Sequence, residues 1–222
     1  MAHRLDNDPS RTIPCQIMSN LPYDQAIARV LVKPLINTPI HPNHITIFSF
    51  LVGVAGSVLM LSGEYSDMGW GATIFIFARF LDHFDGELAR ASGKKTRLGY
   101  YLDYFVGGSL HAIFFACIGI GLQSTWLGDW ALALGAAGFA SSVLSMFLNL
   151  KLDAAMELED GATVGYPGLW RFELEDGIYL IAPIAWFGWL DWFFIAVGIG
   201  SLAYLVWTAF SLINVMGKRK RM

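Results

Sequence analysis

Charged residues and cysteine are both scarce in this sequence, and each shortage excludes a class of protein. Asp, Glu, Lys and Arg make up 15% of the 222 residues, whereas hydrophobic residues make up 55%. This balance is too apolar for an ordinary soluble domain, so it predicts an integral membrane protein. Of the two cysteines, Cys15 lies in a polar stretch and Cys117 in an apolar one, so neither a disulfide framework nor a cysteine metal site is expected.

The sequence also lacks an apolar leader, an internal repeat and a low-complexity linker. Its first residues are polar and mixed, so we expect no signal peptide. The absence of linkers favours a single membrane domain. We expect this domain to cover residues 44–222, after a cytoplasmic amino-terminal segment at residues 1–43.

Long apolar stretches dominate the rest of the chain. Six of them approach the ~20 residues that a helix needs to cross the hydrocarbon core of a bilayer. They lie at residues 44–63, 68–92, 99–122, 128–150, 174–190 and 191–216, with a tight turn placed at residues 190–192. Glycines recur within them and indicate close helix packing, at Gly53, Gly56, Gly119, Gly121, Gly135, Gly138, Gly198 and Gly200.

A shorter helical pattern precedes these spans. Residues 23–36 carry apolar side chains at helical spacing, with Arg29 and Lys33 beside them. The stretch is too short to cross a bilayer and suits a helix in the membrane interface, although a soluble amphipathic helix would show the same pattern. The predicted fold class is therefore all-α integral membrane, with six transmembrane helices preceded by an amphipathic interfacial helix.

Positive charge is missing from three of the predicted connections. Those after the first, third and fifth spans contain only acids among their charged residues, namely Glu64, Asp67, Asp129 and Asp191. By the positive-inside rule, both termini and residues 82–103 should face the cytoplasm. This predicts an inner (plasma) membrane protein with its polar site on the cytoplasmic side.

Acidic residues stand in the second and third spans, where an ionised group is costly unless something neutralises it. Asp82 and Asp85 lie on one helical face, and Asp103 follows in the next helix. Gly86 and Ala89 share the face of the first two acids and remove side-chain bulk there. Because carboxylates suit Mg²⁺ or Mn²⁺, and magnesium completes its shell with water and phosphates, the pattern suggests a phosphorylated ligand. Solvated acids without a ligand are the alternative.

These residues form part of a longer pattern that resembles a known signature. The stretch is similar to that of the CDP-alcohol phosphotransferase family, also called the CDP-alcohol phosphatidyltransferase family: D-x-x-D-G-x-x-A-R, eight residues, G, three residues, D, three residues, D. The matching positions are Asp82, Asp85, Gly86, Ala89, Arg90, Gly99 and Asp103. The turn into the first span also resembles the family, at Pro42, Asn43, Ile45 and Thr46.

The resemblance implies a reaction and a role for each matching residue. An alcohol hydroxyl would attack the phosphorus next to the alcohol being transferred, and CMP would leave. The implied metal ligands for Mg²⁺ or Mn²⁺ are Asp82, Asp85 and Asp103, and the implied substrate-binding residues are Gly86, Ala89, Arg90 and Gly99. The favoured donor is CDP-diacylglycerol, because the motif opens at the membrane surface. The expected partners are this CDP-linked lipid, an alcohol acceptor, membrane lipids and a second copy in a homodimer, with no nucleic acid.

One position departs from the family's pattern. The fourth Asp of the signature, a general base and metal ligand in relatives, is Gly107 here. In one interpretation His111, a helical turn further along the same face, replaces it as the catalytic base. In a second, the acceptor needs no strong base, or one metal site is lost and the chemistry altered. In a third, the protein binds a CDP-linked lipid without turnover.

The preferred prediction is a membrane transferase of phospholipid biosynthesis that moves a phosphatidyl group from a CDP-linked donor to an alcohol. A catalytically silent member of the family is the main alternative. A transporter is a weaker one, since charged groups in spans often mark ion pathways, but the acids cluster on one side and no pair of broken-helix repeats is visible.

Overall fold

The structure is a computed structural model that describes residues 23–156, 168–169 and 172–219. Its α-helices are α1 (Tyr23–Leu31), α2 (Pro42–Leu59), α3 (Tyr65–Ser92), α4 (Arg97–Gly121), α5 (Asp129–Met156), α6 (Ile181–Trp186) and α7 (Leu190–Arg219). Short 3₁₀ segments lie at Lys33–Leu35, Met60–Ser62, Leu122–Ser124 and Leu174–Leu180. The two-residue strands Gly168–Leu169 and Phe172–Glu173 pair antiparallel. The described chain is otherwise helical, and most of the predicted amino-terminal segment, residues 1–22, lies outside it.

The protein is an integral membrane protein by the length and apolarity of its helices. Four stretches of the described chain are long and apolar enough to cross a bilayer: Pro42–Ser62, Arg97–Ser124, Asp129–Met156 and Leu190–Gly217. Helix α3 has 28 residues, so it is also long enough, but charged residues in its second half lower its hydropathy. The predicted count of six spans therefore stays a prediction.

The fifth predicted span, residues 174–190, has a different form from a continuous helix. It consists of a 3₁₀ segment followed by α6, which has six residues, and the two together fall short of the ~20 residues of a full crossing. The predicted turn at residues 190–192 is wrong. The chain turns at Phe187 and Gly188 instead, where Gly188 has φ +76°, and α7 begins at Leu190. Glycine adopts a positive φ without strain, so the turn forms at Gly188.

The long helices pack mainly in the order α3, α2, α4, α5, α7, and α6 packs against α3. Glycine allows two of these pairs to approach closely. A Cβ added to Gly56 of α2 would lie 2.8 Å from the carbonyl oxygen of Gly71 in α3. In the α4–α5 pair, a Cβ on Gly119 would lie 2.9 Å from Cα of Gly135. Close backbone contact at small residues stabilises helix pairs in lipid.

The predicted close packing is wrong at two glycines of α7. A Cβ on Gly198 would meet Leu134 Cδ2 at 3.5 Å, which is ordinary van der Waals contact. At Gly200 no described atom lies within 4 Å of such a Cβ, because this residue lines a cavity. Here glycine leaves space open rather than joining two helices.

Helix α1 packs on α3 along one face only. Its Ala28 and the following Val32 are fully buried, whereas Ile27, Val30 and Leu31 are half exposed. An exposed row of large apolar side chains is costly in water. The exposed face of α1 is therefore apolar, and the predicted interfacial location of this helix stays a prediction.

Candidate active site

Three predicted acids lie in one neighbourhood of the structure. Asp82 is 9% exposed and Asp85 is 4% exposed, both on α3. Thr46 on α2 lies beside Asp85, and its hydroxyl donates to the Pro42 carbonyl oxygen at 3.3 Å. Asp103 of α4 and Asp82 both lie close enough for their charges to repel that of Asp85. Carboxylates from two helices therefore converge at a buried point.

The turn between α3 and α4 makes this convergence possible. Helix α3 ends at Gly93, whose φ of +68° is a conformation that favours glycine. Helix α4 starts after Thr96, whose Oγ1 accepts a hydrogen bond from the backbone N–H of Gly99 at 2.9 Å. Lys94 donates to the carbonyl oxygen of Thr38 at 2.7 Å, which ties the turn to the chain before α2. A short, fixed turn keeps the last turns of α3 beside the first turns of α4.

Arg79 is the direct ionic partner of Asp82. Its guanidinium donates to Asp82 Oδ2 at 2.7 Å, and both side chains are buried. Asp82 Oδ1 and Asp85 Oδ2 are also buried, and they have no hydrogen-bond partner in the described part of the chain. A buried carboxylate oxygen without a partner is strongly destabilising, so these two oxygens indicate a missing cation or donor.

The acids fit a divalent cation that is only partly held by protein. Two orphaned carboxylate oxygens with Asp103 nearby are the hard ligands that Mg²⁺ and Mn²⁺ accept. Within the described residues, no three His, Cys, Asp or Glu side chains lie close enough together to hold a metal ion by themselves. Magnesium is commonly held by a few carboxylates and completed by water and substrate phosphates, which suits this open arrangement.

The small residues of the motif occupy three different settings. Gly86 lines a cavity, and the nearest atoms to an added Cβ belong to the flexible Arg90 guanidinium, at 3.4 Å and beyond. Ala89 is half-buried, and the described residues that line the cavity do not include it. Gly99 faces α2, because an added Cβ would lie 2.9 Å from Asn43 Oδ1. Gly86 thus leaves room for a ligand, whereas Gly99 leaves room for a helix.

The sequence analysis assigned no role to Glu87, although this residue controls the position of Arg90. Glu87 is 1% exposed and pairs with two arginines. Arg90 Nη2 donates to Oε1 at 2.8 Å, and Arg29 Nε on α1 donates to Oε2 at 2.9 Å. These two ion pairs of Glu87 fix α1 beside the helix that carries Asp82 and Asp85, and they hold the Arg90 guanidinium at the cavity. The sequence did contain a sign of this role, because Glu87 is an acid that directly follows Gly86 within a predicted span.

Gly107 leaves open space, and His111 lies one turn beyond it. No described atom lies within 4 Å of a Cβ added to Gly107, and both residues line the cavity. His111 Nδ1 lies 2.8 Å from the Gly107 carbonyl oxygen. Since a carbonyl only accepts, Nδ1 carries the proton and Nε2 is the basic nitrogen of a neutral ring. The ring packs edge-on against Phe75, with 6.2 Å between centroids.

A cavity of about 720 Å³ extends from Asp82, Asp103 and His111 to residues of α5 and α7. Its charged lining comes from α3 and α4. Helices α5 and α7 contribute a set of neutral polar residues, called here the α5–α7 wall: Ser141, Ser142, Ser145, Asn149, Ser201 and Tyr204. Sequence interpretation missed this wall, although Ser141, Ser145 and Asn149 recur at intervals of four, which places them on one face of α5.

A second polar contact fastens α4 to α5 next to the cavity. Asp153 of α5 is 3% exposed, and it accepts hydrogen bonds from two tyrosines of α4. Tyr100 Oη donates at 2.9 Å, and Tyr104 Oη also donates. Hydroxyl donors satisfy this buried carboxylate, so it differs from Asp82 and Asp85, each of which keeps an orphaned oxygen.

Comparison with characterised proteins identifies sequence relatives. A bifunctional IPC transferase and DIPP synthase of Aquifex aeolicus is 24% identical over 182 residues, which are 79% of this chain and 41% of the relative. This chain therefore spans about two fifths of that protein's length. An archaetidylinositol phosphate synthase of Pyrococcus horikoshii is 24% identical over 178 residues, which are 69% of this chain and 82% of the relative.

Solved structures with the same fold are also found. The phosphatidylinositol phosphate synthase of Mycobacterium tuberculosis, crystallised with CDP-DAG bound, matches with a TM-score of 0.62 at 19% identity, covering 86% of this chain and 94% of that chain. Its complex with manganese and citrate matches with a TM-score of 0.61 at 20% identity, covering 85% and 88%. The family model of CDP-alcohol phosphatidyltransferase matches residues 39–213, which is most of the sequence. The chain therefore belongs to the CDP-alcohol phosphatidyltransferase family.

Proposed function

We propose that the protein transfers a phosphatidyl group from a CDP-linked lipid, such as CDP-diacylglycerol, to an alcohol, and releases CMP. The observation that carries this proposal is a pair of buried oxygens on Asp82 and Asp85 that no described residue satisfies, near Asp103 and beside a large cavity. Membership of the family supports the reaction type. The likeness to a phosphatidylinositol phosphate synthase crystallised with CDP-DAG supports the donor.

In this proposal the carboxylates of Asp82, Asp85 and Asp103 hold Mg²⁺ or Mn²⁺. Such an ion neutralises a pyrophosphate and stabilises the charge that develops on a leaving phosphate. A manganese complex of the M. tuberculosis protein supports this choice of metal. Gly86 leaves the surface of α3 open for the nucleotide, and the Arg90 guanidinium, held by Glu87, lies at the edge of that space. Ala89 and Gly99 keep their predicted substrate-binding roles as part of the proposal.

The reaction breaks one bond for each bond that it makes. The acceptor oxygen forms a bond to the phosphorus of the phosphatidyl group, and the bond from that phosphorus to the bridging oxygen of CMP breaks. The bridging oxygen leaves with the electron pair. His111 Nε2 accepts the proton of the acceptor hydroxyl, because Nδ1 is already protonated in its hydrogen bond to Gly107.

We further propose a topology and assembly for the protein. The chain crosses the inner (plasma) membrane six times, and the acids face the cytoplasm. Residues 174–190 form the fifth span, in which the 3₁₀ segment and α6 supply the helical part and the turn at Phe187 and Gly188 supplies the rest. The half-exposed apolar face of α1 supports its location in the membrane interface. Residues 44–222 form one membrane domain after the segment at residues 1–43, and two chains associate as a homodimer.

Metal-dependent release of CMP tests the proposed reaction. The full chain in lipid nanodiscs, given CDP-diacylglycerol, Mn²⁺ or Mg²⁺ and a panel of alcohols, is expected to release CMP, and EDTA is expected to stop the release. CDP-ethanolamine with diacylglycerol serves as the contrasting donor and acceptor. Binding of CDP-diacylglycerol with metal but no CMP from any combination would instead favour the catalytically silent member of the family.

Replacing His111 is expected to slow turnover while donor binding persists. We expect His111→Ala to lower kcat about 10²-fold or more, because general base catalysis commonly contributes that much. We expect Gly107→Asp in the same chain to restore part of the rate, since the site has room for the new side chain. The measurement is kcat and KM for CMP release, with the exposed His44→Ala as control. Unchanged turnover in His111→Ala would show that another group accepts the proton.

A further inference from the structure

The α5–α7 wall contains one buried hydroxyl that the described part of the chain does not satisfy. Ser145 is 6% exposed, its Oγ has no hydrogen-bond partner in the described residues, and it lines the cavity. An unsatisfied hydroxyl inside a membrane bundle is destabilising. Since no described residue is its partner, a ligand group in the cavity is well placed to complete it.

The other hydroxyl donors of the wall are already used within the helices. Ser141 Oγ donates to the Ser201 carbonyl oxygen at 2.7 Å, and Ser142 Oγ donates to the Gly138 carbonyl oxygen at 2.8 Å. Ser201 Oγ donates to the Gly198 carbonyl oxygen at 2.8 Å. Each of these hydroxyls has spent its one hydrogen, so the oxygen that lines the cavity can only accept.

Asn149 and Tyr204 complete the wall by bonding to each other. Asn149 Nδ2 lies 3.0 Å from Tyr204 Oη, and Tyr204 Oη lies 3.2 Å from Asn149 Oδ1. The Tyr204 hydroxyl and one N–H of Asn149 are thus engaged in hydrogen bonds between α5 and α7. Among the described residues, the wall also contains no Lys, Arg or His, and the basic side chains of the cavity lie on α3 and α4.

This distribution of hydrogen-bond donors and acceptors distinguishes two classes of alcohol substrate, those with a phosphate group and those without one. The ionised phosphate group of a phosphorylated alcohol only accepts hydrogen bonds, and it needs cations or N–H groups around it. The wall offers it lone pairs, the Ser145 hydroxyl and the second N–H of Asn149, and no cation. A polyol without a phosphate brings several O–H donors, which match the lone pairs of the serines. An acyl chain would leave the Ser145 hydroxyl without a partner from the described residues or from the ligand.

We propose that the α5–α7 wall binds the acceptor alcohol, that this acceptor is an uncharged polyol, and that Ser145 is its central contact. The proposal rests on the proposed phosphatidyl transfer and adds the class of the second substrate. The polyol lies between the wall and the acids, so that one of its hydroxyls faces the donor phosphate.

Kinetic comparison of matched acceptors tests this class in the full chain. With CDP-diacylglycerol and Mn²⁺, myo-inositol and glycerol are expected to give at least tenfold higher kcat/KM than myo-inositol 1-phosphate and glycerol 3-phosphate. Ser145→Ala is expected to raise the KM for the polyol about tenfold, with the KM for the CDP-lipid unchanged, and Ser145→Thr to keep a low KM. Ser57→Ala, whose hydroxyl is bonded to Gly53 on α2, is the control. Preference for the phosphate esters, or equal changes in both KM values, would overturn the proposal.

Binding without turnover separates this proposal from the proposed reaction. Tritiated myo-inositol and glycerol are measured on the full chain in nanodiscs, without donor or metal. Binding that Ser145→Ala weakens and Ser57→Ala does not would support the wall even if the chain released no CMP. Absence of saturable binding of either polyol would overturn the assignment, and it would leave water as the partner of Ser145.

Discussion

Asp85→Asn is expected to abolish metal-dependent CMP release while it makes the metal-free protein more stable. Loss of a carboxylate ligand should lower turnover on the order of 10³-fold, because charge stabilisation at the reacting phosphates is lost. The same change removes a buried acidic group with an oxygen that no described residue satisfies, which should raise the free energy of unfolding by about 1–3 kcal/mol. The measurements are CMP release and thermal unfolding with and without Mn²⁺. Wild type should gain stability with Mn²⁺, and the variant should not.

A carboxylate at the other end of the same helix provides the control. Asp67 lies in the first turn of α3, about 27 Å from Asp85 along the helix axis. Asp67→Asn should leave both CMP release and the Mn²⁺ effect on unfolding unchanged. If Asp85→Asn destabilised the metal-free chain and still responded to Mn²⁺, the carboxylate would be structural and the proposed metal site would be wrong.

Gly119→Val is expected to disrupt the α4–α5 pair and to prevent stable folding or weaken it strongly. An added Cβ would lie 2.8 Å from the Ala131 carbonyl oxygen and 2.9 Å from Gly135 Cα, and backbone atoms cannot move aside as side chains do. Overpacking of this kind costs about 1–3 kcal/mol or more. Unfolding in detergent, followed by near-ultraviolet circular dichroism and size-exclusion chromatography, measures the loss.

Two comparison variants test whether the close approach is the cause. Gly198→Ala on α7 adds a Cβ in ordinary contact with Leu134 and should leave stability the same or slightly higher, because alanine favours helix. Gly135→Ala meets the Phe115 carbonyl oxygen at 2.8 Å, so it should destabilise the chain, and its effect should not add to that of Gly119→Ala. Additive losses would mean that the two glycines act independently.

The grouping of Asp82 with Asp85 and Gly86 was predictable from spacing. Residues three and four apart on a helix share a face, whatever the helix packs against. The ionic partners were not predictable in the same way. Arg79 is as well placed for Asp82 as for a ligand by spacing alone, and the arginine from α1 that holds Glu87 is 58 residues away in sequence.

Glycine shows the limit of sequence interpretation. Gly56 and Gly119 were predicted to lie at close helix contacts, and they do. Gly200 was predicted in the same way and instead borders the cavity. The residue type permits either outcome, because removal of a side chain leaves space that a neighbouring helix or a ligand can fill.

The sequence alone determined the membrane class, the family and the acids of the candidate site. These properties depend on composition, on the length of apolar runs and on spacing within two neighbouring helices, all of which are local. Only the tertiary structure decided that Ser145 is unsatisfied, that Glu87 joins α1 to Arg90 and that residues 174–186 form a short broken helix. Burial and hydrogen bonding depend on which distant segment packs against each face, and periodicity along one helix carries no information about that neighbour.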